Sequence, residues 1–279
     1  MSNVAEQREQ FAALFTRPLH KDVASSVTTL GGQPALELRK AAPGADVLLY
    51  FHGGGFVVGS ARVNAHLTAA LLRHLDGRAL SLDYRLAPEH AYPAAPDDCL
   101  AAYRELLDSG VDPRRLVIAG DSAGAGLVVV TMMRARDAGL PMPAAAVLFS
   151  PAVDLTLSGA SMRSKDGVDP IFVPAALEWL FEQYANGGDR SAPELSPIFG
   201  DLAGLPPLLI QVGSSELLLD DAVRLAGRAG ADEVEVTLEV VPRQPHVFQL
   251  DDSSPEASAA LERAGRFLAT HLQAAHQEA

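Results

Sequence analysis

Short, unbroken apolar runs alternate with segments of helical spacing along most of this chain, and few architectures accommodate that alternation. The runs predict strands at residues 46–51 (DVLLYF), 79–84 (ALSLDY), 115–119 (RLVIA), 144–149, 206–212 (PPLLIQV) and 234–241. Helical spacing covers 64–75, 97–109, 124–137, 222–229 and 255–273, with a further short helix at 7–15. Two shorter strands, 26–30 and 34–39, flank a Gly31-Gly32 turn. Strands without polar alternation are buried on both faces, and strands joined through helices run parallel. The pattern therefore predicts an α/β domain, a mostly parallel sheet flanked by helices on both sides.

The alternation breaks between residues 153 and 206, where strand signals vanish and one amphipathic stretch, 174–184, carries Leu177, Trp179, Leu180 and Phe181. An irregular stretch much longer than about 12–15 residues inside a compact domain usually serves a site. It is expected to form a helical cap or lid, about 154–205 together with about 1–25, with Trp179, Leu180 and Phe181 supplying apolar surface over the cleft. A length of 279 residues suits one domain, 1–279, with such an appendage.

Composition narrows the partners. Thirty-five acidic residues against 22 Lys and Arg leave a net charge of −13, which repels nucleic-acid backbones and anionic lipid headgroups. No apolar run approaches the roughly 20 residues that span a bilayer. The polar N-terminal stretch MSNVAEQREQ has no signal-peptide character, so a cytoplasmic location is expected. Cys99 is the single cysteine, which excludes an internal disulfide and suits a reducing compartment; it reads as a small packed residue. Neither a His-Glu-x-x-His motif nor clustered cysteines nor a dinucleotide fingerprint is present, so no metal and no cofactor are expected.

The chemistry concentrates in two motifs. Gly120-Asp121-Ser122-Ala123-Gly124 is a G-x-S-x-G pentapeptide lying between a strand and a helix, the context in which a sharp turn lifts the serine hydroxyl above the sheet. Elsewhere the same letters describe no more than a glycine-lined helix start with a capping serine. His52-Gly53-Gly54-Gly55-Phe56 directly follows the strand 46–51. Consecutive glycines let backbone amides approach a reacting carbonyl, and such amides stabilise a developing oxyanion. A phosphate-binding loop would carry a Lys-Ser or Lys-Thr pair, and none follows.

With these motifs the chain resembles the hormone-sensitive-lipase-like bacterial esterases of the α/β-hydrolase fold. The resemblance extends to residues 83–89 (DYRLAPE) and 92–98 (YPAAPDD), and in order and spacing from about residue 46 to the last helix. It implies Ser122 as nucleophile, with Gly53, Gly54 and Ala123 as the oxyanion hole. It makes Arg85 and Glu89 scaffold, and His52 a brace for the glycine loop. The fold's order of serine, acid, histidine places the base at His246, after the last strand. His20, His66, His74, His90, His271 and His276 read as surface residues. The acid is expected just past strand 206–212. An acid-x-Leu-x-Asp pattern matches Glu216, Leu218 and Asp220 and favours Glu216, where many relatives carry aspartate; Asp220 stays the alternative, and Asp220 or Asp221 otherwise reads as a charge at a helix start.

The implied function is hydrolysis of short- to medium-chain acyl esters through an acyl-enzyme, on a small-molecule substrate, by a monomer or homodimer. A lactone hydrolase would use the same apparatus. A non-catalytic small-molecule-binding protein on this fold would be expected to have lost the histidine, and a peptidase would need subsites of which there is no sign.

Overall fold

The computed structural model describes residues 4–251 and 253–277, the side chains of 275–277 excepted. His276 and residues 1–3 of the expected cap thus lie outside the described side chains. A helix α1 (Val4–Phe15) leads into the hairpin β1 (Ala24–Leu30) and β2 (Gln33–Arg39). Then come β3 (Asp46–Phe51), α2 (Ala65–Leu72), β4 (Gly77–Leu82), α3 (Ala94–Asp108), β5 (Leu116–Asp121), α4 (Ala123–Asp137) and β6 (Ala145–Phe149). Two helices, α5 (Ser161–Ser164) and α6 (Pro174–Ala185), precede β7 (Leu208–Gly213), α7 (Leu219–Ala231), β8 (Val236–Val241) and α8 (Pro255–Gln277).

The sheet order is β1-β2-β4-β3-β5-β6-β7-β8. Pairing is antiparallel from β1 to β2 and from β2 to β4, and parallel elsewhere. Alternation within each buried strand sorts its side chains between two cores. Leu48 and Tyr50 of β3, with Val117 and Ala119 of β5, pack with Leu67 and Leu71 of α2 and Leu268 of α8. Val47, Leu49, Phe51 and Ile118 point the other way, toward α3, α4 and α7. A fully apolar strand is therefore what a sheet covered on both faces requires. Helix α4 is buried nearly all round, as its run of Ala, Val, Leu and Met allows.

Registers align the carboxyl ends of the parallel strands: Phe51 opposes Gly120, Asp121 opposes Phe149, Phe149 opposes Gln211, and Gly213 opposes Val241. The loops carrying His52, Ser122, Ser150, Glu216 and His246 consequently leave one edge of the sheet, where open α/β sheets bind ligands.

Several expectations change: the strand read at 79–84 runs Gly77–Leu82, and the helix read from 97 starts at Ala94. Helix α7 begins at Leu219 rather than near residue 222, which takes in Asp220 and Asp221. His66 and His74, on and beside α2, and His271 on α8 are half-buried, not surface residues; a Cβ on Gly265 of α8 would lie 2.2 Å from the His74 ring.

Candidate active site

The floor of the site is the turn from β5 into α4. Ser122 has φ 52° and ψ −120°, a strained backbone that holds its side chain above the sheet. Glycine is forced on both sides. A Cβ on Gly124 would sit 2.1 Å from Phe51 O, and one on Gly120 would sit 2.7 Å from the Gly124 backbone. Ser122 thus stands at the N-terminus of α4, where the helix favours negative charge.

Three side chains far apart in sequence meet here. Ser122 Oγ lies 2.9 Å from His246 Nε2, and His246 Nδ1 lies 3.0 Å from Glu216 Oε1. A carboxylate only accepts, so Nδ1 carries the proton and Nε2 is free to accept from the serine hydroxyl. Glu216 is fully buried, and its second oxygen accepts from Ser150 Oγ at 2.8 Å and Gly213 N–H at 2.9 Å. Ser150 Oγ in turn accepts from Val247 N–H at 3.0 Å, so one hydroxyl ties the acid to the histidine loop. Burial pulls the His246 imidazole down, but the adjacent Glu216 carboxylate outweighs it, aided by Asp169 and Asp121, and the net shift is above 6.5.

Asp220 lies on α7 and does not join this cluster; its carboxylate accepts from Ser161 N–H at 3.0 Å. Asp221 is buried rather than a charge at an exposed helix start. It accepts from Val153 and Asp154 N–H, both at 2.9 Å, and burial pushes its carboxyl up to about 8.

The glycine loop departs from expectation at one residue. Gly53, expected in the oxyanion hole, donates its N–H to Asp121 Oδ1 at 3.0 Å, so that amide is already engaged. The same oxygen accepts from Tyr50 OH and Asn64 Nδ2, both at 2.8 Å. Burial pushes the Asp121 carboxyl up to about 6 against the pull of these donors. Gly54 lines the cleft with Ser122 at φ +122°, and Gly55 follows at φ +60°. Ala123 is the first residue of α4. His52 is buried, stacks on Tyr84 at 4.3 Å and donates from Nδ1 to Gly53 O at 2.8 Å; burial keeps it below its usual pKa and so neutral. Arg85 is bound to Asp98, and Glu89 to Arg8, outside the cleft.

The cleft above Ser122 encloses about 360 Å³. Its roof is made by Phe11, Leu14 and Phe15 of α1 with Ile171 and Phe172. Trp179 and Leu180, expected over the cleft, line an adjoining open hollow that shares Phe11 with it, and Phe181 is buried with its ring centre 6.3 Å from that of Phe56. Phe172 meets the His246 ring edge-on at 5.1 Å. Asp169 fixes that roof segment: it accepts from Ile171 and Phe172 N–H, and its other oxygen accepts from Leu217 N–H beside the acid. Sequence reasoning missed Ser150, Asp169 and the loop-holding role of Asp121. Only for Asp121 was there a signal, a carboxylate directly before the nucleophile. Cys99 is buried with its thiol pKa raised by burial, away from any chemistry. Among the described residues no cluster of metal-ligating side chains occurs, and no helix is long and apolar enough to cross a membrane.

Known proteins resemble this chain in sequence and in fold. Residues 48–250 match a family described as having the alpha/beta hydrolase fold. An acetyl-hydrolase of Streptomyces hygroscopicus is 44% identical over 88% of this chain and 82% of its own. An ethyl acetate hydrolase of Pseudomonas putida is 32% identical over 80% of this chain and 74% of its own. A crystal structure of a hormone-sensitive lipase from a metagenome library superposes with a TM-score of 0.95 at 42% identity, covering 98% of this chain and 92% of that one. The chain belongs to the α/β-hydrolase-fold family, among its hormone-sensitive-lipase-like esterases. It is accordingly an enzyme of the serine-hydrolase type, a carboxylic ester hydrolase, and not a silent binding module.

Proposed function

We propose that this enzyme hydrolyses short- to medium-chain acyl esters with Ser122 as nucleophile, His246 as base and Glu216 as the orienting acid. The observation that carries this reading is the unbroken hydrogen-bonded line from Ser122 through His246 to Glu216 at the bottom of an apolar cleft. Ser122 Oγ attacks the ester carbonyl while His246 Nε2 takes its proton. Glu216 holds the imidazole in the tautomer this needs and stabilises the imidazolium. The N–H groups of Gly54 and Ala123, with Gly55 next in the same turn, hold the oxyanion in place of Gly53. His246 then protonates the departing alcohol, and water, activated by the same imidazole, hydrolyses the acyl-enzyme.

A cleft of about 360 Å³ is near the lower end for small-molecule sites and favours compact esters over triglycerides. The segments 4–25 and 154–205 act as its cap. The lone buried thiol of Cys99 supports a reducing, cytoplasmic setting. The test is labelling with an active-site serine phosphonate, followed by kinetics on p-nitrophenyl esters of rising acyl length and several lactones. Labelling that persists in Ser122→Ala rejects the nucleophile, and faster turnover of lactones or long-chain triglycerides rejects the substrate class.

A further inference from the structure

A second apolar hollow of about 350 Å³, open to the surface, lies beside the cleft, lined by Gln7, Phe11, Val58, Ala176, Trp179 and Leu180. Nothing in the mechanism uses it. Its wall toward the nucleophile is thin. Phe11 lines both spaces. Gly54 on the cleft side and Val58 on the far side belong to one turn, closed by the Val57 and Val58 N–H groups on Gly54 O at 3.1 and 2.9 Å. Leu180 of the second cavity packs on the same turn, where a Cβ on Gly55 would come within 2.7 Å of it. The separation is one glycine turn, which is backbone, and one phenyl ring, which is a side chain.

That ring is held in place. Arg8, one helical turn before Phe11, donates from Nε to Val57 O at 2.8 Å and from Nη2 to Ala87 O at 3.0 Å. The same guanidinium pairs with both oxygens of Glu89. Residues three apart share a helix face, so the latch that docks α1 also presents Phe11 to the partition. Phe15, one turn further on, backs the ring with centroids 4.7 Å apart.

We propose that Phe11 is a specificity-determining residue that ends the acyl-binding space, and that the Trp179–Leu180 cavity behind it is an apolar extension closed to the acyl chain in the native enzyme. The proposal rests on the ester-hydrolase reading above. It assigns chain-length selection to the N-terminal helix rather than to the amphipathic helix α6, which lines the open hollow beyond the ring. An apolar chain entering that compartment gains the ordinary free energy of leaving water, and small changes in such pockets discriminate by about 10- to 200-fold.

The experiment compares kcat/KM for p-nitrophenyl butyrate and p-nitrophenyl octanoate in the native enzyme, Phe11→Ala, Phe11→Trp and Arg8→Gln, each titrated for active sites with the serine phosphonate. Phe11→Ala is expected to raise the octanoate-to-butyrate ratio by about tenfold or more, and Phe11→Trp to lower it. An unchanged ratio in a folded, phosphonate-reactive Phe11→Ala enzyme overturns the proposal. So does an equal rise in Arg8→Gln, which loosens α1 without removing the ring and would trace selection to helix displacement. Native protein that takes up no phosphonate would refute the hydrolase reading itself, a result distinct from either.

Discussion

The floor and the roof of this site are held by different physics. On the floor, Ser122, His246 and Glu216 are nearly or fully buried, and every loop that carries them starts from a sheet whose register is set by hydrogen bonds. The positions are over-determined: glycines that tolerate no Cβ, a serine with positive φ, and a carboxylate bonded at both oxygens. The roof has no such frame. Helix α1 buries no residue fully, Leu14 is 65% exposed, and a guanidinium latch docks the helix. On the proposed reading, the reaction geometry is built where the backbone is over-determined, and substrate selection where side chains can change at small cost to the fold.

The floor is where substitutions should be severe. Ser122→Ala removes one hydroxyl and should eliminate acyl-enzyme formation, leaving at most about 10³–10⁴-fold enhancement over water. Turnover close to native in the purified variant would break the contrast at its foundation. Glu216→Ala should lower kcat by about 10⁴-fold, because the imidazole loses the partner that fixes its tautomer, and Glu216→Asp should retain part of the rate. Asp220→Ala, which removes an acceptor for Ser161 N–H away from the triad, should cost about 1 kcal/mol of stability and spare kcat. Steady-state kinetics beside denaturant melts separate the two, and a dead Asp220→Ala with a live Glu216→Ala would move the acid by one helical turn.

Asp121 sharpens the comparison at an intermediate scale. Replacing it with Ala frees Gly53 N–H, Tyr50 OH and Asn64 Nδ2 together and should loosen the glycine loop, lowering kcat by about 10²-fold, the scale of losing one oxyanion donor. Asp121→Asn keeps an oxygen acceptor and should recover most of that loss. Equal damage from both variants would show that charge, not loop position, is what Asp121 supplies. The pH profile is a gentler probe of the same floor. Glu216 raises His246 above 6.5, and only neutral imidazole accepts the serine proton. Activity should therefore be lost as pH falls, with a midpoint for kcat/KM above 6.5, and Asp121→Asn should bring that midpoint down. A flat profile from pH 5 to 8 would remove His246 as base. Smallest of all, Arg8→Ala on the roof should change stability by about 1 kcal/mol, since its ion pair with Glu89 is partly exposed and its bonds to Val57 O and Ala87 O hold only α1. A large loss in a thermal melt would mean that α1 belongs to the frame after all.

The same contrast explains what was legible in the sequence. The buried strands and the turn at Ser122 could be read because steric demands leave marks on neighbouring letters: unbroken apolar runs for a sheet covered twice, glycines around a tight elbow. The strand before it narrows the acid to residues 214–221, and the choice of Glu216 over Asp220 rests on the family's acid-x-Leu-x-Asp pattern. The partners that complete the site left no such mark. Ser150 is one serine among many until Glu216, 66 residues later, and Val247 fold onto it. Asp169 acts by bridging Phe172 to Leu217, a contact that exists only in three dimensions. For Gly53, a glycine loop declares freedom to aim amides, not which amide the Asp121 carboxylate engages. Helix α6 shows a similar limit. Its spacing identifies an apolar face, while what that face covers depends on where α1 docks.

The most direct test of the account is an intact-mass and peptide analysis of enzyme quenched in acid during turnover of p-nitrophenyl butyrate. The account predicts a transient gain of one butyryl group, located on the peptide that contains Ser122 and absent from Ser122→Ala. Product release with no adduct, or an adduct on any other peptide, would contradict it.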